Sequence, residues 1–169
     1  MKINLSQCVL RSWAPNDADS LVQNANNRNI WLHLRDLFPS PYTKDEAEKY
    51  LAGQHAQSGT VLAIEVAGKA CGNISATIQT DVHRYTAEIG YWLGEPYWGR
   101  GIMSEAVGAF TDYLFEHFAL HRIFAVPFSN HPASARILEK NGFTLEGRMK
   151  RSAFKNGELL DQFLYAKIR

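Results

Sequence analysis

The pattern of apolar and polar positions predicts a strand and two helices near the start of the chain. Residues 3–13 alternate loosely between the two kinds of side chain, as strand residues do. Asn16 or Asp17 can cap a first helix. Residues 43–46 form a capping box, so a second helix is expected to run from there to about Gln57.

Three further stretches have the period of strands. Residues 60–66 and 70–78 are joined by the turn 67–69, and residues 87–93 follow closely. Connections this short join antiparallel strands. We therefore expect an antiparallel meander in this part of the chain.

A long amphipathic helix follows the meander and is expected to end near residue 118. Its apolar positions recur at helical spacing and are Met103, Ala106, Val107, Phe110, Leu114, Phe115 and Phe118. Residues 121–128 have the composition of a buried strand. Because a helix of this length can cross over a sheet, strands 87–93 and 121–128 are expected to be parallel.

The chain ends with a short helix and a hairpin. Residues 133–140 predict the helix, which Gly142 closes in the left-handed conformation. Asn156-Gly157 is the strongest turn signal in the chain and predicts a hairpin over residues 143–168. The elements together predict the α/β class, with a mixed, mostly antiparallel (α+β) sheet that contains one central parallel strand pair.

Length and composition fit one domain that covers residues 1–169. The chain has 169 residues, of which 46% are hydrophobic, enough for a core that folds unaided. Its net charge of +1 argues against nucleic acid or a membrane surface as a partner. With no leader or membrane-spanning stretch in the sequence, a cytoplasmic protein is expected. Cys8 and Cys71 are expected to be buried free thiols.

The stretch YWGRGIMSEA, residues 97–106, has a glycine on each side of Arg100 at the start of the long helix. The first turn of a helix leaves backbone N–H groups without partners, and glycine allows several of them to point at one phosphate. A P-loop is excluded because GxxxxGK[ST] is absent, and a Rossmann fingerprint lacks its third glycine. A tight turn without a ligand is the alternative.

Three motifs follow one another in the second half of the chain: AEIGYWL, YWGRGIMSEA and NHPASARILEKNGF. Their order and spacing closely resemble the GNAT superfamily of N-acetyltransferases, in particular its ribosomal-protein alanine acetyltransferase (RimJ/RimL-like) branch. The resemblance covers nearly the whole chain. It implies a single GNAT domain with a sheet splayed around acetyl-CoA and helices on both faces. It also implies an enzyme that moves an acetyl group from acetyl-CoA to a primary amine by direct attack.

The resemblance implies an acetyl-CoA site with two parts. The pyrophosphate would lie on the amides of residues 100–104, in a loop that aligns as Trp98, Gly99, Arg100, Gly101, Ile102 and Met103, followed by Ser104. Trp98 and Met103 depart from the family's residues, but a backbone N–H donates whatever the side chain, provided that Met103 points into the core. The pantetheine arm would lie on backbone groups of β-strand residues Tyr91, Trp92 and Leu93, with Asn130 bonded to its amide.

Acetyl transfer needs a neutral amine, and the resemblance supplies two catalytic candidates. Near neutral pH, about 0.1% of lysine side chains are in the neutral form, whereas about a third of α-amines are. Glu88 matches a glutamate that serves as general base in several family members. Ser134, in the branch's N-x-x-x-S arrangement, would face the leaving sulfur. A solvent-facing carboxylate at residue 88 and a helix cap at residue 134 stay open as alternatives.

The acceptor amine is expected between the segment WLHLRDLFPSPYT, residues 31–43, and the hairpin. This segment resembles the branch's substrate-side segment and offers Trp31, Phe38 and Tyr42 as apolar walls. Because the segment contains Asp36 but no acidic cluster, a peptide α-amine or an amino-acid-like amine is favoured over a polycation. A packing lid without substrate contacts is the alternative.

Two other functions stay open from the sequence. An acyl-CoA-binding sensor or scaffold would bind without turnover, and polyamine or aminoglycoside acetyltransferases share this shape. His117 and His121 are four residues apart but lack a third ligand, so no metal is expected. The oligomeric state is open, and a homodimer is compatible with the sequence.

Overall fold

The computed structural model describes residues 1–53 and 59–169. The strands are β1 (Lys2–Asn4), β2 (Val9–Arg11), β3 (Gly59–Val66), β4 (Lys69–Ile78), β5 (Thr86–Leu93), β6 (Arg122–Ala125), β7 (Thr144–Lys155) and β8 (Glu158–Ile168). The helices are α1 (Ala18–Ala25), α2 (Arg28–Trp31), α3 (Lys44–Leu51), α4 (Ile102–His117) and α5 (Pro132–Lys140). Across the two described ranges, no helix combines the length and the apolar character that crossing a membrane requires.

One eight-stranded sheet organises the chain, in the order β1-β2-β3-β4-β5-β6-β8-β7. Strands β3, β4 and β5 form the predicted antiparallel meander. Strands β5 and β6, which α4 connects, are parallel. The predicted α/β class with a mixed, mostly antiparallel sheet is therefore confirmed.

Both tight hairpins have turns in the left-handed region. Ala67 and Gly68 between β3 and β4 have φ angles of 49° and 79°, and Asn156 and Gly157 between β7 and β8 have 49° and 83°. Two successive residues with positive φ form the turn whose twist matches that of the flanking strands. The Asn-Gly signal in the sequence therefore predicted the terminal hairpin correctly.

The prediction of one continuous strand over residues 3–13 is wrong. The chain forms two short antiparallel strands, β1 and β2, joined by a turn in which Leu5 donates to the carbonyl of Cys8 at 2.9 Å. The Glu105 carboxylate accepts hydrogen bonds from the backbone N–H groups of Ser6 and Gln7 at 2.7 and 3.1 Å. A side chain from α4 thus stabilises the turn, and local periodicity carries no sign of such a contact.

Two predicted elements are shorter in the structure. Helix α3 begins as expected, with Thr43 Oγ1 accepting from the N–H of Glu46 at 3.3 Å, and ends at Leu51. Its predicted end at Gln57 lies outside the described residues. Strand β6 covers four of the residues 121–128, and beyond it Phe128 forms an isolated bridge.

Hydrophobic residues pack on both faces of the sheet. The larger core lies under α4 and α5, and its fully buried members include Leu10, Ile74, Val107, Phe110 and Leu114. A smaller core joins α1 and α3 to the opposite face, around Leu21 and Ala47. Cys8 and Cys71 are buried free thiols, and burial raises their pKa values to about 11 and about 12. The predicted helices on both faces are therefore present.

Candidate active site

A cleft of about 1080 Å³ lies where the two parallel strands part. The ladder between β5 and β6 ends at the pair Glu88–Phe124, although β5 continues to Leu93. The loop before α4, the first turn of α5 and residues of the segment 31–43 complete the cleft lining. The splayed pair therefore leaves room for a long ligand beside the backbone of β5.

The loop before α4 presents a row of backbone N–H donors. Gly99 and Gly101 have φ angles of 73° and 81°, which glycine adopts without strain. In the part of the chain that the structure describes, the N–H groups of residues 100–104 have no hydrogen-bond acceptor. They lie at the N-terminus of a 16-residue helix, whose dipole favours an anion. This donor set fits the diphosphate of acetyl-CoA.

The side chains of the loop leave these amides accessible. Met103 is 7% exposed and packs in the core, as its place in the loop requires. Trp98 Nε1 donates to the carbonyl oxygen of Leu93 at 2.7 Å and joins the loop to the end of β5. Arg100 is exposed, lies 5.6 Å from the centre of the Tyr97 ring and does not line the cleft. The residues of this loop that line the cleft are thus residues 98–99 and 101–104, and Arg100 is the member of the predicted set that lies outside the lining.

Two basic residues that sequence reasoning missed line the cleft from α5. Arg136 and Lys140 are exposed and one helical turn apart. Their spacing of four on a helix already assigned to the cofactor site was the available signal. Both cations are suited to pair with phosphate groups of acetyl-CoA.

Ser134 lies in the first turn of α5, 7% exposed, and its Oγ is 2.9 Å from the Tyr91 hydroxyl. Burial raises the pKa of Tyr91 to about 12, so this hydroxyl keeps its proton near neutral pH. The cap position of α5 is His131, which forms no side-chain cap bond with the described residues. The structure therefore gives no support to Ser134 as a helix cap. The contact through the Tyr91 side chain was missed.

Glu88 lies at the point where the strands part. It is the last β5 residue paired with β6, and its side chain is 24% exposed. Arg35, from the segment between α2 and α3, forms an ion pair with Glu88 Oε1. Glu88 lines the cleft of about 1080 Å³, which we call the cofactor cleft, and also a second cavity of about 340 Å³. We call this second space the acceptor cavity.

The acceptor cavity lies between the segment 31–43 and the terminal hairpin. Asp36 and Lys155 line it and form an ion pair of 2.7 Å between Oδ1 and Nζ. Lys155 Nζ also lies 3.6 Å from the centre of the Trp31 ring. The side chain of Lys155 is only 2% exposed, so these contacts fix the segment against the hairpin.

The three predicted apolar walls have different surroundings. Phe38 packs edge-on against Trp92, with ring centres 5.7 Å apart, and lines the cofactor cleft. Tyr42 is 5% exposed and lines the same cleft. Trp31 does not line either space but contacts Lys155. Substrate contact by these three residues stays a prediction.

A stacked histidine pair connects the segment 31–43 to the start of α5. The ring centres of His33 and His131 are 3.9 Å apart, and the two ring planes are nearly parallel, with an angle of 7° between them. Burial lowers the pKa of His33, and burial with the nearby His33 lowers the pKa of His131 to about 4. His131 lines the cleft, whereas the neighbouring Asn130 is exposed and does not. The proposed contact between Asn130 and the pantetheine amide stays a prediction.

The two histidines considered for metal binding have other contacts. His117 Nδ1 lies 3.0 Å from the carbonyl oxygen of Tyr113, and the His121 ring packs against Tyr85 at 5.7 Å. Within residues 1–53 and 59–169, no group of three or more His, Cys, Asp or Glu residues is arranged to hold a metal ion.

The parted strands and the amides before α4 together form a site suited to a long ligand with phosphate groups, as acetyl-CoA is. Residues 7–144 match the family model of the acetyltransferase (GNAT) domain, so the chain belongs to the GNAT acetyltransferases. Membership confirms the predicted enzyme class, an acetyl-CoA-dependent N-acetyltransferase.

Two curated proteins that are similar to this chain are named as ribosomal acetyltransferases. The ribosomal-protein-serine acetyltransferase of Escherichia coli (strain K12) is 40% identical over 83 residues, which are 49% of this chain and 46% of that protein. The aligned part therefore spans about half the length of that relative. The putative ribosomal N-acetyltransferase YdaF of Bacillus subtilis (strain 168) is 28% identical over 177 residues, covering 99% of this chain and 94% of that protein.

Among solved structures, the fold is similar to that of the ribosomal alpha-N-protein acetyltransferase RimL in complex with coenzyme A. The TM-score is 0.86 at 25% identity, over 99% of this chain and 98% of the RimL chain. This similarity supports the RimJ/RimL-like branch that the motifs resemble.

Proposed function

We propose that this chain acetylates an α-amine, carried by a peptide N-terminus or by an amino-acid-like molecule, with Glu88 as general base. The observation that carries the proposal is the position of Glu88, which lines both the cofactor cleft and the acceptor cavity. A base at the junction of two cavities can reach an amine from one side and a thioester from the other. The relatives named for ribosomal proteins support a protein N-terminus and a cytoplasmic location.

Glu88 has the surroundings that proton removal requires. Gly90, two residues further on the same face of β5, leaves space beside it, because an added Cβ would meet only Ser75 Oγ at 3.8 Å. Acetyl-CoA supplies a thioester carbonyl, and the neutral amine attacks its carbon. Glu88 accepts the proton that the α-ammonium group loses before attack. Because an α-amine has a lower pKa than lysine, a single carboxylate is sufficient.

Ser134 and Tyr91 lie on the other side of β5 from Glu88 and are proposed to stabilise the leaving thiolate. Ser134 Oγ can donate its proton to the sulfur while accepting a hydrogen bond from the Tyr91 hydroxyl. A hydroxyl is a weak acid, so donation of a hydrogen bond is the main part of this role. Backbone N–H groups of β5 beyond Glu88 are proposed to polarise the thioester carbonyl.

A panel of amines tests the proposed acceptor by the release of CoA. We expect short peptides with free α-amines to react at least about ten-fold faster than blocked peptides that offer only lysine, because the neutral fraction differs. Spermidine should react slowly, because the two carboxylates of the acceptor cavity, Glu88 and Asp36, are already paired with Arg35 and Lys155 and leave none free for additional ammonium groups. Reactions without acetyl-CoA are the control.

Two outcomes of this panel would count against the proposal. Strong turnover of spermidine or of the blocked peptides, with none of the free α-amines, would overturn the choice of acceptor. Acetyl-CoA binding without CoA release for every amine would favour a sensor on the same fold.

A further inference from the structure

The proposed base is already occupied by a cation from the chain itself. The guanidinium of Arg35 contacts Glu88 Oε1 and leaves two thirds of its own side chain, 67%, exposed. Both residues line the acceptor cavity. An acceptor ammonium group that approaches Glu88 must therefore take the place of Arg35.

The second ion pair in the acceptor cavity is fixed. Lys155 is buried, and Asp36 and the Trp31 ring both hold its ammonium group. The Arg35 pair differs because a long, exposed side chain holds it through one nitrogen, and exposed ion pairs are weak. Arg35 is thus the charged group at the cavity that can exchange partners.

From this exchange we infer that Arg35 is a specificity-determining residue that selects acceptors with a carboxylate close to the reacting amine. The inference rests on the proposed function. When the acceptor ammonium group pairs with Glu88, the released guanidinium pairs with the acceptor carboxylate, so every charge keeps a partner. An acceptor with both charges also preserves the balance of the cavity, in which two cationic side chains face two anionic ones.

Two sources of this carboxylate share the same chemistry. One is the α-carboxylate of a free amino acid or an amino-acid-like molecule. The other is an aspartate or glutamate side chain within the first residues of a peptide. Arginine suits both because its planar guanidinium donates two parallel hydrogen bonds to one carboxylate.

The test compares kcat/KM for matched acceptors. Three peptides with free α-amines differ only at the second residue, which is Glu, Gln or Lys, and a free amino acid is compared with its amide. We expect the wild-type chain to prefer the Glu peptide, the free amino acid or both over their neutral counterparts by about ten-fold, mainly through KM. Arg35→Gln should remove this preference, and Arg35→Glu should reverse it towards the Lys peptide.

Arg148→Gln is the matched control. Arg148 is also an exposed arginine in an ion pair, with Asp161, but it does not line the acceptor cavity. The Arg148→Gln variant should keep the wild-type preference. Titration with acetyl-CoA shows that each variant is folded. Equal kcat/KM for carboxylate and neutral acceptors, or a preference that survives Arg35→Gln, would overturn the role of Arg35 and leave the proposed function standing. Absence of α-amine acetylation for every acceptor would overturn the proposed function together with this inference.

Discussion

Gly101→Glu is expected to abolish acetyl-CoA binding in isothermal titration calorimetry. Gly101 precedes α4 with φ at 81°, beside the amides that we assign to the diphosphate. A glutamate there would place a carboxylate at the helix N-terminus, where it repels the phosphates and competes for their donors. The positive φ adds strain of about 1–2 kcal/mol for any side chain.

Two further variants separate charge from strain. Gly68→Glu introduces the same residue at φ 79° in the turn between β3 and β4, outside both cavities, and should bind acetyl-CoA normally. Gly101→Ala adds a Cβ without charge, 3.4 Å from Gln7 Nε2, and should weaken binding less than the glutamate does. Unchanged affinity in a folded Gly101→Glu variant would remove the phosphate assignment of the loop.

Glu88→Gln should lower kcat by about 10² or more with little change in acetyl-CoA affinity, because a general base acts in the transition state. Glutamine keeps the shape of the side chain and its contact with the acceptor cavity but cannot accept the ammonium proton. Steady-state kinetics across a pH series measures the effect. Ser134→Ala should lower kcat by less, since a hydrogen bond to the thiolate can be supplied in part by the Tyr91 hydroxyl.

Glu65→Gln is the control for this substitution. Glu65 is also a strand carboxylate in an ion pair with an arginine, Arg11, and its side chain is 22% exposed, close to the 24% of Glu88. It lies outside both cavities, so its variant should keep the wild-type kcat. A Glu88→Gln variant that keeps the full rate at every pH would place the base elsewhere.

Local signals in the sequence were sufficient for much of the fold. The Asn156-Gly157 turn, the apolar face of α4 and the Thr43 cap each depend on residues close together in the chain. The glycines around Arg100 likewise predicted the loop before α4, in which Gly99 and Gly101 have positive φ angles. The family resemblance then supplied the splay of β5 from β6, which no periodicity contains.

The contacts that complete the site join residues distant in sequence. Arg35 lies 53 positions from its partner Glu88, and Tyr91 lies 43 positions from Ser134. The stacked His33 and His131 also come from separate elements. Such pairs form only when the sheet and its loops assemble, so the family resemblance indicated Glu88 on β5 and Ser134 on α5 but not their partners.

The measurement that tests the central claim most directly locates the acetyl group on a peptide that offers two different amines. A peptide with one free α-amine and one lysine is incubated with the chain and acetyl-CoA, and the product of limited turnover is sequenced by tandem mass spectrometry. Both amines are then present at the same concentration and compete for the same base. The proposed function predicts acetylation of the α-nitrogen. Acetylation of the lysine Nζ, with the α-amine left free, would contradict it.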